Sequence, residues 1–170
     1  VNASPRVFNQ KNFVPMVGDI LKEVGLKPEY LEIEITEETM MGNADETIEK
    51  MKALRKIGVK FAIDDFGTGY SSLSYLKSLP IVMLKIDRSF INDIFTSSDD
   101  KAIVTAIIQM THNMGIEVLA EGVETEQQLA YLKSLGCDKL QGYLYSKPVP
   151  CDEFEKLFNK VPCTKRSMRD

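Results

Sequence analysis

The chain has 170 residues, 44% of them hydrophobic and 27% charged, with a net charge of −4 and a pI of about 5.2. These values fit one globular domain with its own core and exclude the basic footprint that duplex nucleic acid demands. No apolar run approaches the roughly 20 residues of a membrane span, and no signal peptide is evident, so the cytoplasm is the expected location.

In chain order, VNAS at the start reads as the end of a strand, so the chain is expected to begin inside a larger domain. Asn12 can cap a helix to about Val24, with Pro15 tolerated in its first turn and Gly25 as the stop. Leu31 to Thr36 alternates strictly and predicts a strand. A helix follows from about Ala44 to Ile57, closed by Gly58. Lys60 to Ser72, KFAIDDFGTGYSS, predicts a buried strand that ends in two adjacent carboxylates, Asp64 and Asp65, then a loop. Adjacent carboxylates repel and lose hydration, so they call for a cation or strong donors. The plain alternative is an Asx-type turn and a helix cap.

A short helix is expected around Leu73 to Lys77 and a strand over Ile81 to Asp87. Ser98 or Asp99 can cap a helix to about Asn113, and a strand starts at Ile116. Thr125 with Gln128 is a capping-box signature for a helix to about Leu135. KLQGYLY is read as the next strand, and a last helix spans about Asp152 to Phe158. The polar segment from Val161 to Asp170 is expected to be mobile. Strands alternating with helices argue for a parallel sheet with crossover helices.

The strands carry polar groups where packing alone does not require them. Glu34 lies between Ile33 and Ile35, and Lys85 between Leu84 and Ile86. Glu121 follows Ala120, Gln141 follows Leu140, Asp64 follows Ile63, and Asn2 follows Val1. Strand neighbours point to opposite faces, so these groups are expected to converge opposite the helix-covered face. A closed (β/α)8 barrel gathers all six strand ends, whereas an open doubly wound sheet gathers only those at its switch point. We therefore expect a TIM-type barrel, with about six of its eight βα units between residues 1 and 160.

Histidine occurs once, at His112, where a helix-end cation is the expected role. A His-rich zinc site is excluded. The three cysteines, Cys137, Cys151 and Cys163, lack CxxC spacing and are read as reduced thiols. Chemistry must then come from oxygen donors and lysine. Asn2, Glu34, Asp64, Asp65, Glu121 and Gln141 form a hard donor set that suits Mg²⁺ or Mn²⁺. It is large enough for two ions about 4 Å apart, as in attack on a phosphodiester. Lys85 can orient an attacking water, meet a phosphate oxygen, or simply neutralise the carboxylates. Tyr70, Tyr75, Tyr131, Met51, Met83 and Met110 are read as packing. Arg6 can meet a guanine or phosphate, or stand at the surface.

VNAS, LEIEITE, KFAIDDFGTGYSSL, LKID, AEGVET and QGYLYSKP, in this order, resemble the EAL family of cyclic di-GMP phosphodiesterases, from Val1 to about Phe158. The resemblance implies a (β/α)8 barrel that linearises cyclic di-GMP to pGpG with Mg²⁺ or Mn²⁺. It implies metal-ligand roles for Asn2, Glu34, Asp64, Asp65 and Glu121, and catalytic roles for Lys85, Glu121 and Gln141. Glu124 matches a further acidic site residue, and Glu37 the anchor of the DDFGTGYS loop, whose Thr68, Ser71 and Ser72 offer hydrogen bonds. The loop lies near the dimer contact in that family, and upstream sensory or cyclase domains, or a membrane anchor in the parent protein, are common company.

The Glu-Ala-Leu tripeptide, whose glutamate is a metal ligand in that family, and the family's first two strands are absent from the 170 residues, so strongly reduced turnover is expected of this chain alone. An unclosed barrel exposes strand edges, so a homodimer or other oligomer is expected. The alternative to an enzyme is a module that senses cyclic di-GMP or pairs with a partner without hydrolysis; binding without product would mark it. A glycosidase using paired carboxylates fits the acidic ring but not the motifs.

Overall fold

The computed structural model describes residues 1–37, 39, 44–67, 69 and 76–158. Thr68, Tyr70, Ser71, Ser72, Tyr75, Cys163, most of the helix expected at 73–77, and the segment 161–170 lie outside the described residues. Five parallel strands stand side by side in chain order: β1 (Glu32–Thr36), β2 (Lys60–Phe66), β3 (Met83–Ile86), β4 (Glu117–Ala120) and β5 (Lys139–Leu140). α1 (Pro5–Phe8) and α2 (Phe13–Val24) precede β1; α3 (Ala44–Ile57) connects β1 to β2, α4 (Arg88–Asn92) and α5 (Ser98–Asn113) connect β3 to β4, α6 (Glu126–Ser134) connects β4 to β5, and α7 (Cys151–Phe158) follows β5. This sequential parallel order is the arc of an incomplete (β/α) barrel.

The sixth expected strand is reduced to one bridge. Asn2 pairs with Glu34 in parallel, with Ala3 N–H donating to the Glu34 carbonyl at 2.9 Å and Glu34 N–H to the Val1 carbonyl at 2.8 Å. Pro5 then opens α1, which ends any extended run. At the other edge, the strand expected over KLQGYLY stops at Leu140. Val123 N–H donates to the Gln141 carbonyl and Leu144 N–H donates to the Val123 carbonyl, so residues 141–145 wrap around Val123. Only glycine fits at 142, because a Cβ there would meet the Val123 backbone at 2.1 Å.

The core lies between sheet and helices. Ile33 and Ile35, Phe61 and Ile63, Leu84 and Ile86, and Val118 and Ala120 are buried from successive strands, against Leu54, Ile108 and Leu132 from α3, α5 and α6. Met51 and Met83 are buried, Met110 is partly so, and Tyr131 packs against Phe95 and Lys101, as expected for packing residues.

Cap chemistry sets the helix starts. Thr125 and Gln128 form the expected capping box on α6. Gln128 also donates through Nε2 to the Ile91 carbonyl at 3.0 Å, tying α6 to α4. α5 begins one residue earlier than the expected caps allow, because Ser97 accepts from Asp100 N–H. α4 was not legible as a helix; the Asp87 carboxylate starts it by accepting from Ser89 N–H at 2.9 Å. His112 does lie in the last turn of α5, and its Nε2 also pairs with Asp138 Oδ2 at 2.8 Å. Among the described residues, no helix is long and apolar enough to cross a membrane.

Candidate metal centre

The strand ends bring the expected polar groups together around one lysine. Lys85, on β3, is buried between Leu84 and Ile86, yet its ammonium points away from their core. It lies 2.7 Å from Glu121 Oε1, 3.0 Å from Asp64 Oδ1 and 3.1 Å from Glu34 Oε2. Three strands therefore place three carboxylates on one cation, and β1 alternation is what turns Glu34 there while Ile33 and Ile35 enter the core. Burial pulls the Lys85 ammonium down, but hydrogen bonds to Glu121, Asp64 and Glu34 outweigh it and hold its pKa above the ordinary lysine range.

Asn2 completes this side. With its nitrogen facing the acids, the Asn2 amide donates to Glu34 Oε2 at 3.1 Å and to Asp64 Oδ2 at 3.2 Å. Turned over, the same amide presents its oxygen to a cation.

Asp64 and Asp65 would face opposite ways in a regular strand. They do not, because β2 carries an extra residue between its pairs with Leu84 and Ile86, and Asp65 takes a left-handed φ of 54°. Carboxylate oxygens of Asp64, Asp65 and Glu121 consequently lie within 4.8 Å of one another. Burial, then Asp64 and Asp87, raise the Asp65 pKa. Burial also raises that of Glu121, against the pull of Lys85. Carboxylates this close fit a hard divalent cation by donor type and charge.

The remaining expected residues divide. Glu121, Glu124 and Gln141 line one cavity of about 1180 Å³ together with Arg88, Leu119 and Tyr145. Glu37 is buried and accepts from Gly67 N–H, just past β2, at 3.4 Å. Its Oε1 has no hydrogen-bond partner among the described residues, and a Cβ on Gly69 would meet it at 2.8 Å. Arg6 is exposed on α1 and makes no ion pair with the acidic ring among the described residues. Asp87 escaped the sequence reading, although it follows Lys85 by two residues and so shares its strand face. Arg88 did too; its Cβ packs where a Cβ on Gly122 would come to 2.6 Å.

Fold and site together define a parallel α/β barrel-type domain with a candidate centre for hard divalent cations. The chain belongs to the EAL domain family, whose family model matches residues 1–148. The cyclic di-GMP phosphodiesterase NbdA of Pseudomonas aeruginosa is 47% identical over 156 residues, covering 92% of this chain and 20% of NbdA. The solved complex of the PaMucR phosphodiesterase with c-di-GMP superposes with a TM-score of 0.88 at 45% identity, covering 91% of this chain and 62% of that one. A manganese and cyclic di-GMP complex of Klebsiella pneumoniae BlrP1 gives a TM-score of 0.79 at 38% identity, covering 87% of this chain and 38% of that one. The chain spans about a fifth of the length of the curated relatives it matches.

Proposed function

We propose that this chain carries the cation and proton-handling groups of a cyclic di-GMP phosphodiesterase, which opens the ring to linear pGpG with Mg²⁺ or Mn²⁺. The observation that carries this reading is the buried ammonium of Lys85 shared by Glu34, Asp64 and Glu121, with Asp65 and Asn2 beside them. A relative named as a phosphodiesterase and a phosphodiesterase solved with c-di-GMP support the substrate; a manganese complex supports the ion class.

Asn2, Glu34, Asp64, Asp65 and Glu121 are the residues that would hold the ions, one or two. Such an ion supplies Lewis acidity toward a phosphoryl oxygen. The chain's own groups do the rest. Lys85 supplies the countercharge to Glu34, Asp64 and Glu121 and offers N–H donors to a water or a phosphate oxygen. Glu121, raised by burial, is suited to accept the proton that the attacking water gives up. The water oxygen bonds to phosphorus, the P–O3′ bond breaks, and the leaving O3′ takes a proton. Gln141 and Glu124 border the same cavity, where they can contact the dinucleotide.

Exposed apolar side chains stand at both edges of the sheet, Val1 and Val24 at one and Tyr143 and Phe154 at the other. We expect self-association from them, and light scattering from a stable monomer would contradict it.

The test of the activity is chromatography of cyclic di-GMP incubated with the chain and Mn²⁺. Formation of pGpG, stopped by EDTA, is expected. Binding without product would favour the sensing module instead.

A further inference from the structure

We propose that Lys50 is a positioning residue for ligand binding: from α3 it fixes the α1 turn that leaves the acidic ring at Asn2. The inference rests on the phosphodiesterase reading. Lys50 is only 9% exposed, and a lysine ammonium is costly to bury without partners. It has two. Nζ lies 2.8 Å from Glu46 Oε1, one turn back on α3, and donates to the Phe8 carbonyl at 3.3 Å. An i,i+4 pair alone needs no burial and contributes little. The contact that explains the burial is the one with Phe8.

Phe8 ends α1, where helix carbonyls lack partners within the helix. Backbone bonds within the turn run from Val7 and Phe8 N–H to the Ser4 carbonyl and from Asn9 N–H to the Pro5 carbonyl, and Ser4 adds no side-chain cap. What ties the turn to the elements around it, besides Lys50, is the Phe8 ring, fully buried against Phe13 at 4.9 Å and edge-on to Phe61 at 6.5 Å. The Lys50 ammonium lies 5.9 Å from the same ring centre. Phe61 precedes Asp64 on β2 by three residues, and Asn2 precedes the turn and touches Asp64 and Glu34. The turn thus follows the Asn2 bridge, packs on β2 through Phe61, carries the exposed Arg6, and is held by Lys50 from α3. A strand-to-helix turn at this end of a barrel is where ligand contacts are built.

The test compares Lys50→Met and Lys50→Arg with the unsubstituted chain by amide hydrogen exchange and by calorimetry, with Mn²⁺ alone and then, with the weaker Lewis acid Ca²⁺ in its place to hold back turnover, with cyclic di-GMP. In Lys50→Met, exchange at Val7, Phe8 and Asn9 should quicken while β2 and α5 stay protected. Its affinity for cyclic di-GMP should fall by about tenfold, the scale of one lost charge-assisted hydrogen bond. Mn²⁺ affinity should hold within about twofold on the same scale, and Lys50→Arg should recover most of the loss. If Lys50→Met fails to fold, Glu46→Gln, which leaves the amine in place, should show the same changes in smaller measure. Unchanged exchange and affinity would overturn the inference alone, as would parallel loss of Mn²⁺ and dinucleotide binding. An unsubstituted chain that binds Mn²⁺ but no cyclic di-GMP would overturn the phosphodiesterase reading and this inference together.

Discussion

The Lys85 ammonium lies 2.7 Å from the Glu121 carboxylate, across neighbouring parallel strands, with Asp64 and Glu34 on its other sides. In the absence of a divalent ion this lysine is the charge that lets the ring exist. Lys85→Met should destabilise the fold in EDTA by about 3 kcal/mol, because it leaves partly buried acids unpaired. Mn²⁺ should restore much of that loss. Urea denaturation with and without the ion checks both; an unchanged midpoint in EDTA would show that the carboxylates need no internal cation.

Asp65 combines a left-handed backbone with a like charge next door. Asp65→Asn keeps a residue that tolerates this conformation and removes the repulsion. It should raise the stability of the ion-free chain by roughly 0.5 kcal/mol or less, because Asp65 is exposed and water screens the repulsion, while weakening Mn²⁺ binding. Asp65→Val should lower stability, since a β-branched residue resists φ of 54°. Thermal melts of the two variants in EDTA should therefore move in opposite directions.

Much of this fold was legible in the sequence, and particular residues show why. Ile33 and Ile35 flank Glu34 in strict alternation, and Thr125 with Gln128 announces α6, because both signals are local. The doublet Asp64-Asp65 was legible as chemistry but not as geometry. Only the extra residue in β2 and the positive φ put both carboxylates on one side. The early end of β5 depends on Val123, far from Gly142 in the chain, so no local pattern could report it. Asp87 was read as the end of the strand from Ile81, and only its cap on α4 and its charge beside Asp65 give it a place at the site.

Gly142 is the tightest point of that β5 edge. Gly142→Ala should cost about 2 kcal/mol or more, as overpacking against rigid backbone does. A Cβ there would press on the Val123 carbonyl at 2.1 Å. Faster amide exchange at Val123 and Leu144, whose N–H groups bond across this contact, is the expected signature.

Burial pushes the Cys137 thiol up from its ordinary 9.0 to about 11, against weaker help from backbone hydrogen bonds. The native state then holds this proton more tightly than the unfolded chain does. Stability should therefore fall as pH rises from 9.0 to about 11, with a loss on the order of 2 kcal/mol. Cys137→Ala should flatten that slope in urea titrations under reducing conditions. Iodoacetamide at pH 8 should label the exposed Cys151 and spare Cys137 until the chain unfolds.

The most direct test of the central claim is metal-dependent turnover of cyclic di-GMP by the chain and by its Asp64→Asn variant. The expected result is pGpG that requires Mn²⁺ or Mg²⁺ and disappears in the variant, since Asp64 is the carboxylate shared by Lys85, Asn2 and the Asp65–Glu121 cluster. Turnover that persists in Asp64→Asn, or a chain that neither turns over nor binds cyclic di-GMP with Mn²⁺ present, would contradict it.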